Sequence, residues 1–224
     1  MSAIVVINPN SSRAVTAGID RALDPLRRPE GPAIRCLTLA EGPPGIETDE
    51  DVRDVVAPLV ALVRRLDGEA AAFVDACFSD PGLAELRGAT GRPVFGIGEC
   101  AYRRAAADYG RFGVISMFAD SAARHRRAVE GLGFADALAG DRPVGLGVTA
   151  LGDDPAATLA RLVTVGARLR DEDGAAAIVL GCTGMAAHRA PLEDALAMPV
   201  IDPTQAAVAA AIDAVQDIAA GHDG

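Results

Sequence analysis

The sequence predicts an α/β protein of two pseudo-symmetric lobes, each a parallel sheet flanked by helices. Three observations carry this. Short apolar runs alternate with amphipathic helical stretches along the 224 residues, the pattern of βα units whose strands are buried on both faces. Ala71-Ala-Phe-Val-Asp-Ala-Cys77, followed by a helix and Pro93-Val94, matches Ala176-Ala-Ile-Val-Leu-Gly-Cys182, followed by a helix and Pro199-Val200, at a spacing equal to within one residue. The apolar run Ile4 to Ile7, with its Asn-Pro-Asn-Ser tail, has its counterpart in Val114-Ile115-Ser116 at nearly the same offset.

In chain order, the first strand is Ala3 to Ile7, and a serine opens the helix Ser12 to Leu23. Alternating apolar residues mark a strand over Ala33 to Leu39; the Pro/Gly cluster at 42–45 is a loop, and Asp opens a helix over Asp51 to Arg65. Strands follow at Ala71 to Val74 and Val94 to Gly96, then a helix over Ala101 to Tyr109. The second half runs through a strand at Phe112 to Ser116, a helix over Asp120 to Leu132, a loop in the Pro/Gly-rich stretch 140–147 and a strand at Val144 to Val148. A helix with Pro at its first turn covers Pro155 to Arg170, strands lie at Ala177 to Leu180 and Val200 to Ile201, and Thr204 to Ala219 closes the chain as a helix.

Composition removes whole classes of chemistry. All 21 basic residues are arginine, so no lysine can form a Schiff base or sit on nucleotide phosphates in a Walker A loop. A net charge of −10 gives no footprint for nucleic acid, and no apolar run approaches a membrane span. The expected partner is a small molecule, with neither nucleic acid nor membrane involved; without a basic leader the expected location is cytoplasmic, and the expected assembly is a homo-oligomer. Cys36, Cys77, Cys100 and Cys182 are too scattered for a disulfide framework or a zinc site and read as thiols.

Two of these thiols stand apart. Cys77 and Cys182 each follow a buried strand and precede a helix, at matching positions of the repeat. In parallel sheets the ligand lies beyond the carboxyl ends of the strands, so both would look into one cleft between the lobes. A helix N-terminus lowers a thiol pKa from about 8.5 and can hold an oxyanion. A carbon acid between two such thiols loses a proton to one and gains a proton from the other, which inverts its stereocentre with no cofactor or metal. Small residues also suit tight strand-to-helix turns, which would explain one cysteine; a matched pair argues for chemistry.

In Ile7-Asn-Pro-Asn-Ser-Ser12, Asp75-Ala-Cys-Phe-Ser-Asp-Pro-Gly82, Gly96-Ile-Gly-Glu99, Phe112-Gly-Val-Ile115, Leu180-Gly-Cys-Thr-Gly-Met185 and Pro199-Val-Ile-Asp-Pro203, the chain resembles the hydantoin and allantoin racemase branch of the aspartate/glutamate racemase superfamily. The resemblance implies lobes of 1–98 plus 206–224 and of 99–205, with Cys77 and Cys182 as the acid/base pair. It implies a substrate pocket lined by Asn8, Asn10, Ser11, Phe78 and Ser79 from one lobe, and by Ser116, Met117, Thr183 and Gly184 from the other. Its substrate would be a small cyclic carbon acid, a 5-substituted hydantoin or allantoin. The family pattern usually has glycine at Ser79, alanine at Thr183 and a Thr-Thr pair at Ser116 and Met117, departures that fall in the pocket. The superfamily also contains amino acid racemases, decarboxylases and cis-trans isomerases, and a non-catalytic ligand-binding α/β protein would need no reactive thiols.

The remaining polar residues have plainer readings. Cys36 and Cys100 are expected to pack in the core, and His125 and His222 to be solvated. His188 has no carboxylate partner in sequence, Asp75 and Asp80 read as local caps, and Asn8, Asn10 and Ser11 can either cap the first helix or donate to a ligand. Gly96-Ile-Gly98-Glu-Cys-Ala101, with Asp120 downstream, fits a dinucleotide fingerprint, but in the fourth βα unit and after a very short strand.

Overall fold

Ala3–Asn8 forms β1, an apolar run buried from Ile4 onward, and it organises the first sheet. The computed structural model describes residues 3–147 and 149–222. The chain separates into two compact units, Met1–Ile97 with Thr204–Gly224, and Gly98–Pro203.

In the first unit, α1 (Arg13–Ala22) starts at Ser12, whose hydroxyl accepts from the Val15 amide, and leads into β2 (Ile34–Thr38). The helix expected at Asp51 to Arg65 is two helices, α2 (Asp49–Asp54) and α3 (Val56–Leu66). Pro58 has no N–H to offer the Asp54 carbonyl, so the hydrogen-bond ladder breaks just before it. Thr48 and Asp51 form a reciprocal capping box at the start of α2. Then come β3 (Ala70–Asp75), α4 (Leu83–Ala89) and β4 (Val94–Gly96). The strands are all parallel, in the order β2-β1-β3-β4. Alternate side chains enter opposite faces: Val5, Ile7, Phe73 and Val94 pack in one buried cluster with Leu59, Val63 and Leu86 of the helices.

The second unit repeats the plan. Its elements are α5 (Ile97–Tyr109), β5 (Phe112–Ser116), α6 (Ala122–Gly131), β6 (Leu138–Pro143), α7 (Pro155–Asp171), β7 (Ala177–Leu180), α8 (Arg189–Leu196) and β8 (Val200–Ile201). The sheet is parallel, in the order β6-β5-β7-β8. Helix α5 starts before the expected Ala101, directly where β4 ends. The expected strand over Val144 to Val148 is absent from its described part, Val148 lying outside the described residues; the strand is β6, which starts at Leu138 and runs into the stretch 140–147 expected to be a loop. Leu138–Pro143 is polar because it is an edge strand, where charged side chains and a proline are tolerated. Arg142 is fixed there by ion pairs to Asp173 at 2.6 Å and Glu172 at 2.7 Å.

The closing helix α9 (Pro203–His222) buries Ala207, Val208 and Ala211, and Gln205 Nε2 donates to the Ala22 carbonyl at 2.7 Å. The His222 side chain lies outside the described residues. Among the described residues no helix is long and apolar enough to cross a membrane.

Candidate active site

The backbone delivers the two cysteines in the same way. Strand β3 runs between β1 and β4, and β7 between β5 and β8. The residue before each cysteine adds one further ladder bond: the Ala76 amide donates to the Ile7 carbonyl at 2.8 Å, and the Gly181 amide to the Ile115 carbonyl at 2.8 Å. Each thiol therefore stands just beyond the carboxyl edge of its own sheet, where parallel sheets bind ligands. The neighbouring strands match too, since Leu39 N donates to Asn8 O at 2.9 Å and Val144 N to Ser116 O at 2.8 Å. Asn8 and Ser116 are thus equivalent positions. No disulfide joins any of the four cysteines.

Beyond the thiols the two halves diverge. Cys182 is the N-cap residue of a 3-10 turn, Thr183–His188, that runs into α8, and its carbonyl accepts from the Met185 amide. Cys77 is not at a helix start. Its carbonyl accepts from the Asp80 amide at 2.9 Å, and Asp80 at φ 47° and Gly82 at φ 66° turn the chain before α4 opens at Leu83. The expected helix N-terminus is therefore met at Cys182, as a 3-10 turn, and replaced by a tight turn at Cys77. Phe78 and Thr183 are buried, and Ser79 and Gly184 are half-buried.

The Asn8 to Ser12 segment is an interlocked loop. Asn8 Nδ2 donates to Asn10 Oδ1 at 2.9 Å, to Thr16 Oγ1 at 3.0 Å and to Ser12 O at 3.2 Å, and Asn8 Oδ1 accepts from the Asn10 amide. Asn10 Oδ1 also accepts from the Ser12 amide, while Ser11 donates through both its amide and its hydroxyl to Pro43 O. Asn8 and Ser11 are thus committed to the loop, and the helix cap is Ser12, whereas the hydrogen bonds of the loop use the backbone N–H and Oδ1 of Asn10 and not its side-chain Nδ2. In the second unit, Ser116 Oγ at the end of β5 is fully buried and has no hydrogen-bond partner, and Met117 beside it is buried. A hydroxyl in that state costs stability unless something binds it.

With this geometry in view, the sequence model of the Asp/Glu/hydantoin racemase family matches residues 4–211. The chain belongs to that family. It is 35% identical over 206 residues to the hydantoin racemase of Paenarthrobacter aurescens, spanning 91% of this chain and 87% of that protein. Among solved structures, the allantoin racemase from Klebsiella pneumoniae superposes with a TM-score of 0.87 at 30% identity, covering 98% of this chain and 88% of that one. The Pseudomonas fluorescens allantoin racemase, at 24% identity and a TM-score of 0.89 over 95% of this chain and 90% of that one, shares the fold. Family membership makes the chain an isomerase, as the sequence predicts.

The remaining sequence candidates find structural places in this racemase. Cys36 is half-buried on β2, and burial together with a hydrogen bond to Asp20 pushes its thiol up to about 12. Cys100 is half-buried within α5. His125, expected to be solvated, is instead 3% exposed, with Nδ1 2.7 Å from Asp141 Oδ2 on β6. Sequence could not pair a helix histidine with a carboxylate on a strand that itself read as a loop. Burial pushes the His188 imidazole below its usual value, against a hydrogen bond with the Leu151 backbone. The nucleotide fingerprint has another explanation: a Cβ on Gly96 would lie 2.4–2.7 Å from the Asp80 carboxyl atoms. The glycine makes room for that side chain. Among the described residues no group of three or more His, Cys, Asp and Glu could hold a metal.

Proposed function

We propose that the protein is a cofactor-independent racemase of a small cyclic carbon acid, a 5-substituted hydantoin or allantoin, with Cys77 and Cys182 as its two bases. The observation that carries this reading is the equivalent placement of the two thiols, each one residue past a matched ladder bond at the end of the third strand of its unit.

One thiol, as thiolate, takes the hydrogen from the ring carbon next to the carbonyl; the electron pair left behind is delocalised onto that carbonyl oxygen. The other thiol gives its proton to the opposite face of the same carbon. The enzyme emerges with the two ionisation states exchanged, ready for the other enantiomer, so nothing is consumed. In this reading Asn10 and Ser116 supply hydrogen bonds to the ring's polar groups, Phe78 and Met117 shape its walls, and Ser79, Thr183 and Gly184 bound the side-chain end, with Asn8 and Ser11 holding the Asn10 loop in place. The names borne by the hydantoin and allantoin racemases it resembles favour a cyclic ureide over a linear amino acid.

The same reading has the enzyme working in the cytoplasm as a homo-oligomer. Purified, chelator-treated protein offered single enantiomers of a hydantoin panel and of allantoin tests the activity: loss of optical rotation without change of composition supports it. An inert protein, or one that requires an added metal, overturns it.

A further inference from the structure

The repeat that matches the thiols also shows where the halves differ. Asp75 stands on β3 where Leu180 stands on β7, each two residues before its cysteine. A leucine suits a strand buried on both faces; Asp75 does not. It is 1% exposed, and neither of its carboxyl oxygens has a hydrogen-bond partner. In register it lies between Ile7 of β1 and Gly96 of β4, on the face that carries Phe73. The Asp80 carboxyl fills the space above Gly96, so two carboxyl groups occupy one corner of the first sheet beside the Cys77 turn. Phe73 on that face packs in a buried cluster with Val94 from β4, Leu59 from α3 and Leu86 from α4. Burial and the Asp80 charge push the Asp75 carboxyl well above the usual carboxylate range, with the Cys77 backbone amide pulling weakly the other way.

We propose that Asp75, buried without a hydrogen-bond partner two residues before Cys77 and in the corner that holds the Asp80 carboxyl, is a positioning residue that sets the Cys77 thiol apart from Cys182. The inference rests on the reading of Cys77 as an acid/base group. When Asp75 loses its proton to solvent, a second negative charge appears two residues from the thiol and disfavours the thiolate. The two residues before Cys182, Leu180 and Gly181, carry no carboxyl group.

The test uses the full-length protein and two readouts that do not require turnover. Carbon NMR of Asp-labelled protein follows the Asp75 carboxyl, and mass spectrometry follows iodoacetamide alkylation of Cys77 and Cys182 against pH. In the wild type Asp75 should titrate well above the ordinary carboxylate value of about 3.9. In Asp75→Asn, alkylation of Cys77 should be faster by about threefold or more at alkaline pH, as removal of a neighbouring charge requires, with Cys182 unchanged. Should that variant not fold, Asp80→Asn decides, since it should move the Asp75 titration down. Asp75 titrating at or below the ordinary carboxylate value in the wild type, coincident Cys77 curves, equal shifts at both thiols or an Asp75 titration indifferent to Asp80→Asn would each overturn the inference. A protein that shows this coupling yet fails to racemise ureides refutes the proposed function and leaves the inference standing.

Discussion

Gly181 lies so close to β5 that a Cβ on it would come within 2.6 Å of the Ile115 carbonyl oxygen. That carbonyl is the one its own amide donates to, so the bond that aims Cys182 depends on the missing methyl. Gly181→Ala should therefore lower racemisation at least about tenfold while costing about 1–3 kcal/mol of stability, the range for overpacking a tight site. Steady-state rates and urea unfolding, measured together, check it; wild-type turnover would show that the Cys182 placement tolerates the shift.

Cys77→Ser and Cys182→Ser should each reduce racemisation by about 100-fold or more, the scale of a lost acid/base group. A hydroxyl does not ionise at neutral pH, so each variant keeps one working face. In deuterated water one variant should label one enantiomer while the rotation holds constant, and the other variant the opposite enantiomer. Labelling of the same enantiomer by both would mean a single base.

Cys36 should be the slowest of the four thiols toward iodoacetamide, because its value near 12 keeps it protonated throughout the working range. Cys36→Ser should leave turnover within about twofold of wild type, since β2 brings no thiol to the carboxyl edge. Peptide mapping after timed alkylation measures this directly, and rapid labelling of Cys36 at pH 7 would contradict it.

The buried His125–Asp141 pair pins α6 to the edge strand β6. His125→Ala leaves the Asp141 carboxyl buried without that partner and should cost about 1–3 kcal/mol in urea unfolding, more than exposed ion pairs such as Arg104–Asp108 contribute. An unchanged midpoint would mean that the pair adds nothing to the sheet ladder and the Arg142 ion pairs in holding β6.

His188 sets a pH limit for the second unit. Its imidazole is held below the ordinary value by burial, so the unfolded chain binds a proton at a pH where the folded chain does not. The sign follows: stability is at its full value above about pH 6.5 and falls as the pH drops below it. Urea midpoints from pH 8 to 5 should show that slope, and His188→Gln should flatten it.

Legibility in the sequence followed burial. Strands β1, β3, β5 and β7, apolar and flanked on both sides, were readable from residue type alone, and the duplicated Ala-Ala-Phe-Val-Asp-Ala-Cys77 segment revealed the twofold plan. The edge strand β6 was not readable, because Asp141 and Arg142 satisfy their charges with His125, Glu172 and Asp173, partners distant in sequence. The break between α2 and α3 is encoded by Pro58, which sits within a strong apolar helical period. At the site, the cysteine positions were legible, whereas the internal commitment of Asn8 and the burial of Asp75 depend on which face of a sheet each side chain enters.

The pairing of Gln205 with Ala22 has a consequence for synthesis. The two partners are 183 residues apart, and everything the second unit requires is made between them. As the chain leaves the ribosome, Gly98–Pro203 is finished while the first sheet still lacks α9, the helix that brings Ala207, Val208 and Ala211 to its unit. The unit that begins first is completed last, and until then the apolar surface that α9 covers stays open on the nascent chain.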